Sequence, residues 1–110
     1  MAGKFEIYKS EKNEQHYFRL KASNGEIVLN SQGYKDIAGA RNGVESVKNH
    51  AGDPSNYESL EASDGKTYFN LKAKNNQIIG SSQMYKTVSG RDNGINAVGN
   101  AADGAPVDEG

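Results

Sequence analysis

The chain repeats itself, and this constrains its fold more than any other feature. Residues 16–51 read HYFRLKASNGEIVLNSQGYKDIAGARNGVESVKNHA, and residues 67–102 read TYFNLKAKNNQIIGSSQMYKTVSGRDNGINAVGNAA. At an offset of 51 these 36 positions align without a gap, and 17 are identical. Val28/Ile79, Ile37/Val88 and Val44/Ile95 are chemically close besides. The segments ahead also correspond, Phe5-Glu6-Ile7-Tyr8 with Tyr57-Glu58-Ser59-Leu60, if the second copy is one residue shorter in its first turn. A period of this length means two similar supersecondary units, and the fold must be built from them.

Each copy reads as three strands followed by a helix. In copy one the first strand spans about 4–10, and the polar turn Glu11-Lys12-Asn13-Glu14 follows. The second strand, about 16–23, alternates Phe18, Leu20 and Ala22 with Tyr17, Arg19 and Lys21, the period of a strand with one buried face. Asn24-Gly25 predicts a tight type I′ hairpin, which needs positive φ at both residues. A third strand spans about 26–31. Copy two repeats the pattern with Phe69, Leu71 and Ala73 inward, Asn75-Asn76 at the turn and a third strand over 77–82.

In the helices, Ile37, Ala40, Val44, Val47 and Ala51 step by three or four, and Val88, Ile95, Val98 and Ala102 repeat that stripe with Arg91 in place of Ala40. Asp36 and Thr87 are placed to cap the two N-termini. Gly52-Asp53-Pro54 ends the first helix, with Gly52 suited to a left-handed cap. Gly99, opposite Lys48 of copy one, predicts a weaker last turn in the second helix. Residues 103–110 lack periodicity and read as a disordered tail.

A unit of about 50 residues buries little surface by itself. Leu, Ile, Val and Phe make up only 19 of 110 residues, a proportion at which disorder becomes an issue, although 13 basic against 14 acidic residues leave a net charge of only −1. Two copies joined edge to edge share one core and resolve the difficulty, as a duplicated form of a symmetric dimer. The expected fold is α+β: one antiparallel sheet of about six strands, with two helices on one face. Residues 1–102 then form a single domain, with copy one over about 3–52 and copy two over about 55–102.

The segments Tyr68-Phe69-Asn70-Leu71-Lys72-Ala73, Gln77-Ile78-Ile79-Gly80-Ser81-Ser82-Gln83-Met84-Tyr85 and Asn93-Gly94-Ile95-Asn96-Ala97-Val98 resemble the YegP-like family. Its members are small bacterial proteins with one or two copies of a domain of unknown function, and the resemblance covers about residues 3–102. It implies two β3α units in a single sheet with their C-terminal helices exchanged between units. It supplies no catalytic residues.

The residue inventory narrows the chemistry. No cysteine is present, so disulfides, thiolate metal sites and cysteine catalysis are excluded. His16 and His50 are the only histidines, and copy two has Thr67 and Ala101 in their places, so no multi-histidine metal site is expected. His50 falls in a last helical turn, where it complements the dipole. Glu6 and Glu58 recur on the first strands without forming an acid/base pair. The N-terminus lacks the pattern of a secretory signal, and the longest apolar run, Ile27-Val28-Leu29, falls far short of the ~20 residues of a membrane span. A cytoplasmic monomer without cofactor, metal or membrane partner is the expectation.

Three features are candidates for function. Ser31-Gln32-Gly33-Tyr34-Lys35 and Ser82-Gln83-Met84-Tyr85-Lys86 lie at strand-to-helix junctions, where helix N–H groups and Lys35 or Lys86 suit an anion. The same residues also suit packing, with Ser and Gln satisfying backbone groups and the tyrosines plugging the core. Gly39-x-x-x-Gly43 and Gly90-x-x-x-Gly94 ask for close approach at the helices or for later helix starts. On the open sheet face, Tyr17, Arg19 and Lys21 recur as Tyr68, Asn70 and Lys72, an arrangement that suits single-stranded nucleic acid or simple cross-strand stabilisation. A pI of about 6.1 argues against nucleic acid, because backbone binding needs a positive footprint. The expected role is a non-enzymatic binding or protein-interaction module, its partner a protein or small ligand. Nucleic-acid binding on the open face is the alternative, and an enzyme using the strand-to-helix loops comes third.

Overall fold

The computed structural model describes residues 3–109. Its four hairpin turns share one device. An Asx side chain accepts the N–H two residues on, and the residue between them is left-handed: Asn13 with Glu14 (φ 58°), Asn24 with Gly25 (86°), Asp64 with Gly65 (84°) and Asn75 with Asn76 (67°). At Asn24-Gly25 only Gly25 has positive φ. Gly25 N–H donates to Ala22 O and Ala22 N–H to Glu26 O, which makes a three-residue loop with one left-handed position in place of the expected type I′ turn. The first turn spans four residues between Ser10 and Gln15, and its counterpart spans three between Ala62 and Lys66. That is the one-residue difference the repeat requires.

These turns connect β1 (Lys4–Lys9), β2 (His16–Lys21) and β3 (Ile27–Ser31) in copy one, and β4 (Tyr57–Glu61), β5 (Thr67–Lys72) and β6 (Ile78–Ser81) in copy two. The helices are α1 (Ile37–His50) and α2 (Val88–Ala102), and β7 (Val107–Asp108) closes the chain. The sheet order is β4-β5-β6-β3-β2-β1-β7. The copies therefore meet at β3 and β6, where Asn30 pairs with Ser81. These two residues are repeat equivalents, so a pseudo-twofold axis passes through the pair. Where the repeat has Leu29 in copy one it has Gly80 in copy two, and a Cβ on Gly80 would come within 3.0 Å of Leu29 Cγ. The duplication is broken at the one place where two leucines would overlap.

Asp36 and Thr87 cap the helices as expected, accepting N–H bonds from Gly39 at 2.9 Å and Gly90 at 3.0 Å. Phe5, Phe18, Leu20, Leu29, Val44, Val47, Phe69, Leu71 and Val98 form the centre of one core shared by both copies. Each helix starts over its own copy and ends beside the first strand of the other. Gly43 lies against Phe18 and Tyr34, whereas the C-terminal carbonyl of α1, Ala51 O, accepts from the Tyr57 hydroxyl of β4 at 2.8 Å. Gly94 lies against Phe69, whereas Ala101 O near the end of α2 accepts from Gly3 N–H beside β1 at 2.9 Å. This is the form that helix exchange takes here.

Two expectations are corrected. Gly52 is not left-handed: α1 ends in right-handed geometry at Ala51, and a 3₁₀ turn over Pro54–Asn56, capped by Asp53, redirects the chain. The last turn of α2 runs to Ala102, and Gly99 within it makes a close approach, since a Cβ there would meet Ala51 O at 3.3 Å. The sheet has seven strands, and the seventh comes from the segment read as a disordered tail. Ala105 is buried, Phe5 N–H donates to Pro106 O, and β7 runs parallel to β1. One apolar side chain and a short strand suffice to hold a segment whose sequence has no period.

Candidate functional site

At the strand-to-helix junctions the structure builds the same packing unit twice. Ser31 Oγ accepts the Phe18 N–H at 2.8 Å and donates to Gln32 O, and Ser82 Oγ treats Phe69 and Gln83 in the same way at 3.0 and 2.8 Å. Tyr34 exchanges backbone bonds with His16, as Tyr85 does with Thr67. The rings complete two aromatic triads: Phe5 edge-on to Phe18, which stacks on Tyr34, and Tyr57 edge-on to Phe69, which stacks on Tyr85. Gly43 and Gly94 leave the space these tyrosines fill. A Cβ on Gly43 would stand 2.6 Å from both the Phe18 ring and the Tyr34 hydroxyl. The glycine pairs therefore answer to close approach, within helices that start ahead of them. Burial pushes the Tyr34 and Tyr85 phenols up, and the Glu26 carboxylate adds to the shift at Tyr85. Gln83 Nε2 ties its loop to Ile27 O of the other copy at 2.9 Å. Gln32, Lys35 and Lys86 stay exposed.

The copies differ around these junctions. Arg91, which interrupts the apolar stripe, donates to Thr67 Oγ1 at 3.0 Å, and Thr67 Oγ1 donates in turn to Leu60 O. Ser59, the counterpart of buried Ile7, lines the same groove as Arg91. A small residue on β4 thus accompanies a large one on α2, and the reverse holds in copy one with Ile7 and Ala40. Met84, in the place of Gly33, is half exposed.

The open face of the sheet carries the densest unabsorbed chemistry, and it is concentrated in copy one. The β1–β2 register sets Glu6 opposite Arg19 and Tyr8 opposite Tyr17. Tyr8 and Tyr17 stack with centroids 5.8 Å apart, and the Arg19 guanidinium lies 4.8 Å over the Tyr8 ring. Glu6 receives Arg19 at 2.7 Å, Lys21 at 3.3 Å and Lys4 at 3.4 Å. Arg19 above all, with Lys21 and Lys4, holds the Glu6 carboxyl down to about 2 against the desolvation that would raise it. Asn13 donates to the Tyr17 hydroxyl at 2.9 Å and fixes its outer end. In copy two, Leu60 faces Tyr68, Asn70 bonds Ser81 at 2.6 Å, and Lys72 pairs with Glu58 at 3.2 Å. The structure thus brings Tyr17 and Lys21 into one cluster and keeps Tyr68 and Lys72 apart from it. Sequence reasoning left Tyr8, Glu6 and Lys4 out of this cluster; the matched alternation of β1 and β2 was the signal for them.

His50 Nδ1 lies 2.7 Å from Ser46 O in the last turn of α1. Among the described residues no three His, Cys, Asp or Glu side chains gather to hold a metal, and no helix is long and apolar enough to cross a membrane.

The fold and its surfaces define a tandem-repeat α+β protein, two pseudo-twofold copies on one sheet. The domain of unknown function DUF1508 matches residues 11–58 and 62–109, and the chain belongs to that family. The UPF0339 protein YegP of Escherichia coli K12 is 51% identical over 98 residues, covering 89% of this chain and 88% of its own length. The UPF0339 protein in the ptx operon 5′ region of Stutzerimonas stutzeri is 50% identical over 109 residues, 99% of this chain and 97% of its own. The solution NMR structure of yegP from E. coli, a protein of unknown function, matches with a TM-score of 0.92 at 46% identity, covering 99% of this chain and 93% of that one. The matched units run from ahead of β2 into β4, and from ahead of β5 through β7, a phase in which each helix is followed by the strand it delivers to the far edge.

Proposed function

We propose that the protein is a non-enzymatic binding module whose working surface is the copy-one half of the open sheet face. The Tyr8–Tyr17 stack under Arg19 carries this reading: a preordered aromatic pair capped by a cation, bordered by Lys4 and Lys21. Aromatic rings offer large contact area at low entropic cost, and Arg adds directional hydrogen bonds. The strand-to-helix loops support a ligand role less well, because Ser31, Ser82, Tyr34 and Tyr85 already satisfy backbone groups and fill the core. The partner is a protein or small molecule with a planar or apolar group for the tyrosines. Single-stranded nucleic acid is the competing ligand, and it must displace Glu6 and Glu58 from the lysines and arginine they now hold.

Titration of isotope-labelled protein tests the reading. Fractionated bacterial extract and a mixed-sequence oligonucleotide serve as the two probes. Amide shifts centred on Tyr8, Tyr17 and Lys21, lost in Tyr8→Ser/Tyr17→Ser, support it. Shifts with the oligonucleotide alone that vanish as salt rises favour nucleic acid, and an unperturbed face with every fraction defeats the proposal.

A further inference from the structure

Strands β1 and β4, at the two sides of the sheet, are repeat equivalents, yet among the described residues one is covered and the other is not. The covered edge is β1, and the cover is the chain's own C-terminal strand. Val107 and Asp108 run parallel to Phe5 and Glu6, and Phe5 N–H donates to Pro106 O at 2.9 Å. Asp108 lies 3.9 Å from Lys4, and Glu109 takes charged hydrogen bonds from Arg41 at 2.6 and 3.1 Å. We propose that this edge is a docking site for an extended segment of a partner protein, one with an apolar residue followed by two carboxylates, and that the C-terminal strand is a built-in stand-in for it.

Three observations carry the argument. The first is the weakness of the stand-in. β7 pairs with two of the six β1 residues, Val107 is 39% exposed, and the Lys4 and Arg41 side chains are about half exposed. Exposed ion pairs of this kind add little stability. The second is length: a longer strand in the same register continues along Ile7 to Lys9. Each main-chain bond gained there adds to its affinity, as in other cases of strand addition to a sheet edge. The third is selectivity between the edges. At β4 the counterpart of Lys4 is Asn56, that of Arg41 is Asp92 and that of Lys9 is Glu61, whereas Glu6 and Glu58 are common to both edges. An apolar-acidic segment is therefore attracted to the β1 edge and repelled from the β4 edge. Until a partner arrives, the stand-in covers an edge that would otherwise invite indiscriminate pairing.

The test uses the full chain and two synthetic peptides, one with the sequence of residues 104–110 and a lengthened one with residues 104–109 followed by two β-forming residues, which the register sets opposite Tyr8 and Lys9. Asp108→Lys/Glu109→Lys sets the strand against Lys4 and Arg41 and releases it. The lengthened peptide should bind this released chain at least about tenfold more tightly than the unaltered one, since a masked site loses affinity in proportion to its closed fraction. Amide shifts should fall on Ile7, Tyr8 and Lys9, and Arg41→Asp in the released chain should weaken binding several-fold. In the unaltered chain, excess lengthened peptide should move the Val107 and Asp108 amides away from their paired positions, a readout that does not depend on any variant folding. Failure of that displacement overturns the proposal, as do shifts that map to β4. Dimers of the unaltered chain that disappear in the released variant also overturn it, because the occupant would then be a second copy.

Discussion

Gly43 and Glu6 show how single residues here act through what they touch. Alanine at Gly43 gains up to about 1 kcal/mol in helix propensity. Its methyl, however, would meet the Phe18 ring and the Tyr34 hydroxyl at 2.6 Å. Overpacking of this kind typically costs about 1–3 kcal/mol, so Gly43→Ala should lower the urea midpoint. The spacing of the glycines and the tyrosine plug were each legible in the sequence, but that the one seats against the other was not, because the tyrosine arrives from a loop. Glu6 gives a pH prediction. Its carboxyl is held down to about 2, chiefly by Arg19, against an ordinary value of 4.5. The folded form thus keeps the charge that the unfolded chain gives up. The stabilisation is complete above the unfolded value and is lost as pH falls from about 4.5 toward about 2. Glu6→Gln should flatten the stability profile across that window and leave neutral pH with a loss of about 1 kcal/mol, both measured by denaturation at stepped pH.

Elements follow local chemistry closely, and their ends are where the sequence speaks most clearly. Asp36→Ala and Thr87→Ala each remove a side chain that accepts a first-turn N–H, and each should cost about 1 kcal/mol by thermal or chemical denaturation. Both caps were visible as a polar residue ahead of an apolar stripe. The Asn24-Gly25 turn was visible as well, though its type was not: two turn residues imply the two-residue hairpin, and only the paired Ala22 and Glu26 show that the loop holds three. Of the four left-handed turn positions, Glu14 alone is neither Gly nor Asn. Glu14→Gly should therefore stabilise the protein by up to about 1 kcal/mol, read as a raised Tm.

Across the whole molecule the decisive contacts lie at the seam and at the edges. Gly80→Leu restores the repeat at the pseudo-twofold axis and forces a second leucine against Leu29, which is fully buried. It should destabilise by about 1–3 kcal/mol, whereas the same substitution on an exposed strand position would be mild. Calorimetry of Gly80→Leu beside Gly80→Leu/Leu29→Gly checks the reason, because the double variant moves the leucine across the axis and should recover part of the loss. By itself the sequence determined the duplication, the strand and helix order, the caps and the faces each strand buries, since all of these are written in periods of two, three and four residues. Only the tertiary structure decided which edges join, where each helix ends and that the C-terminal segment becomes a strand. Those outcomes depend on side chains far apart in the chain coming within a few ångströms, and no local period encodes that distance.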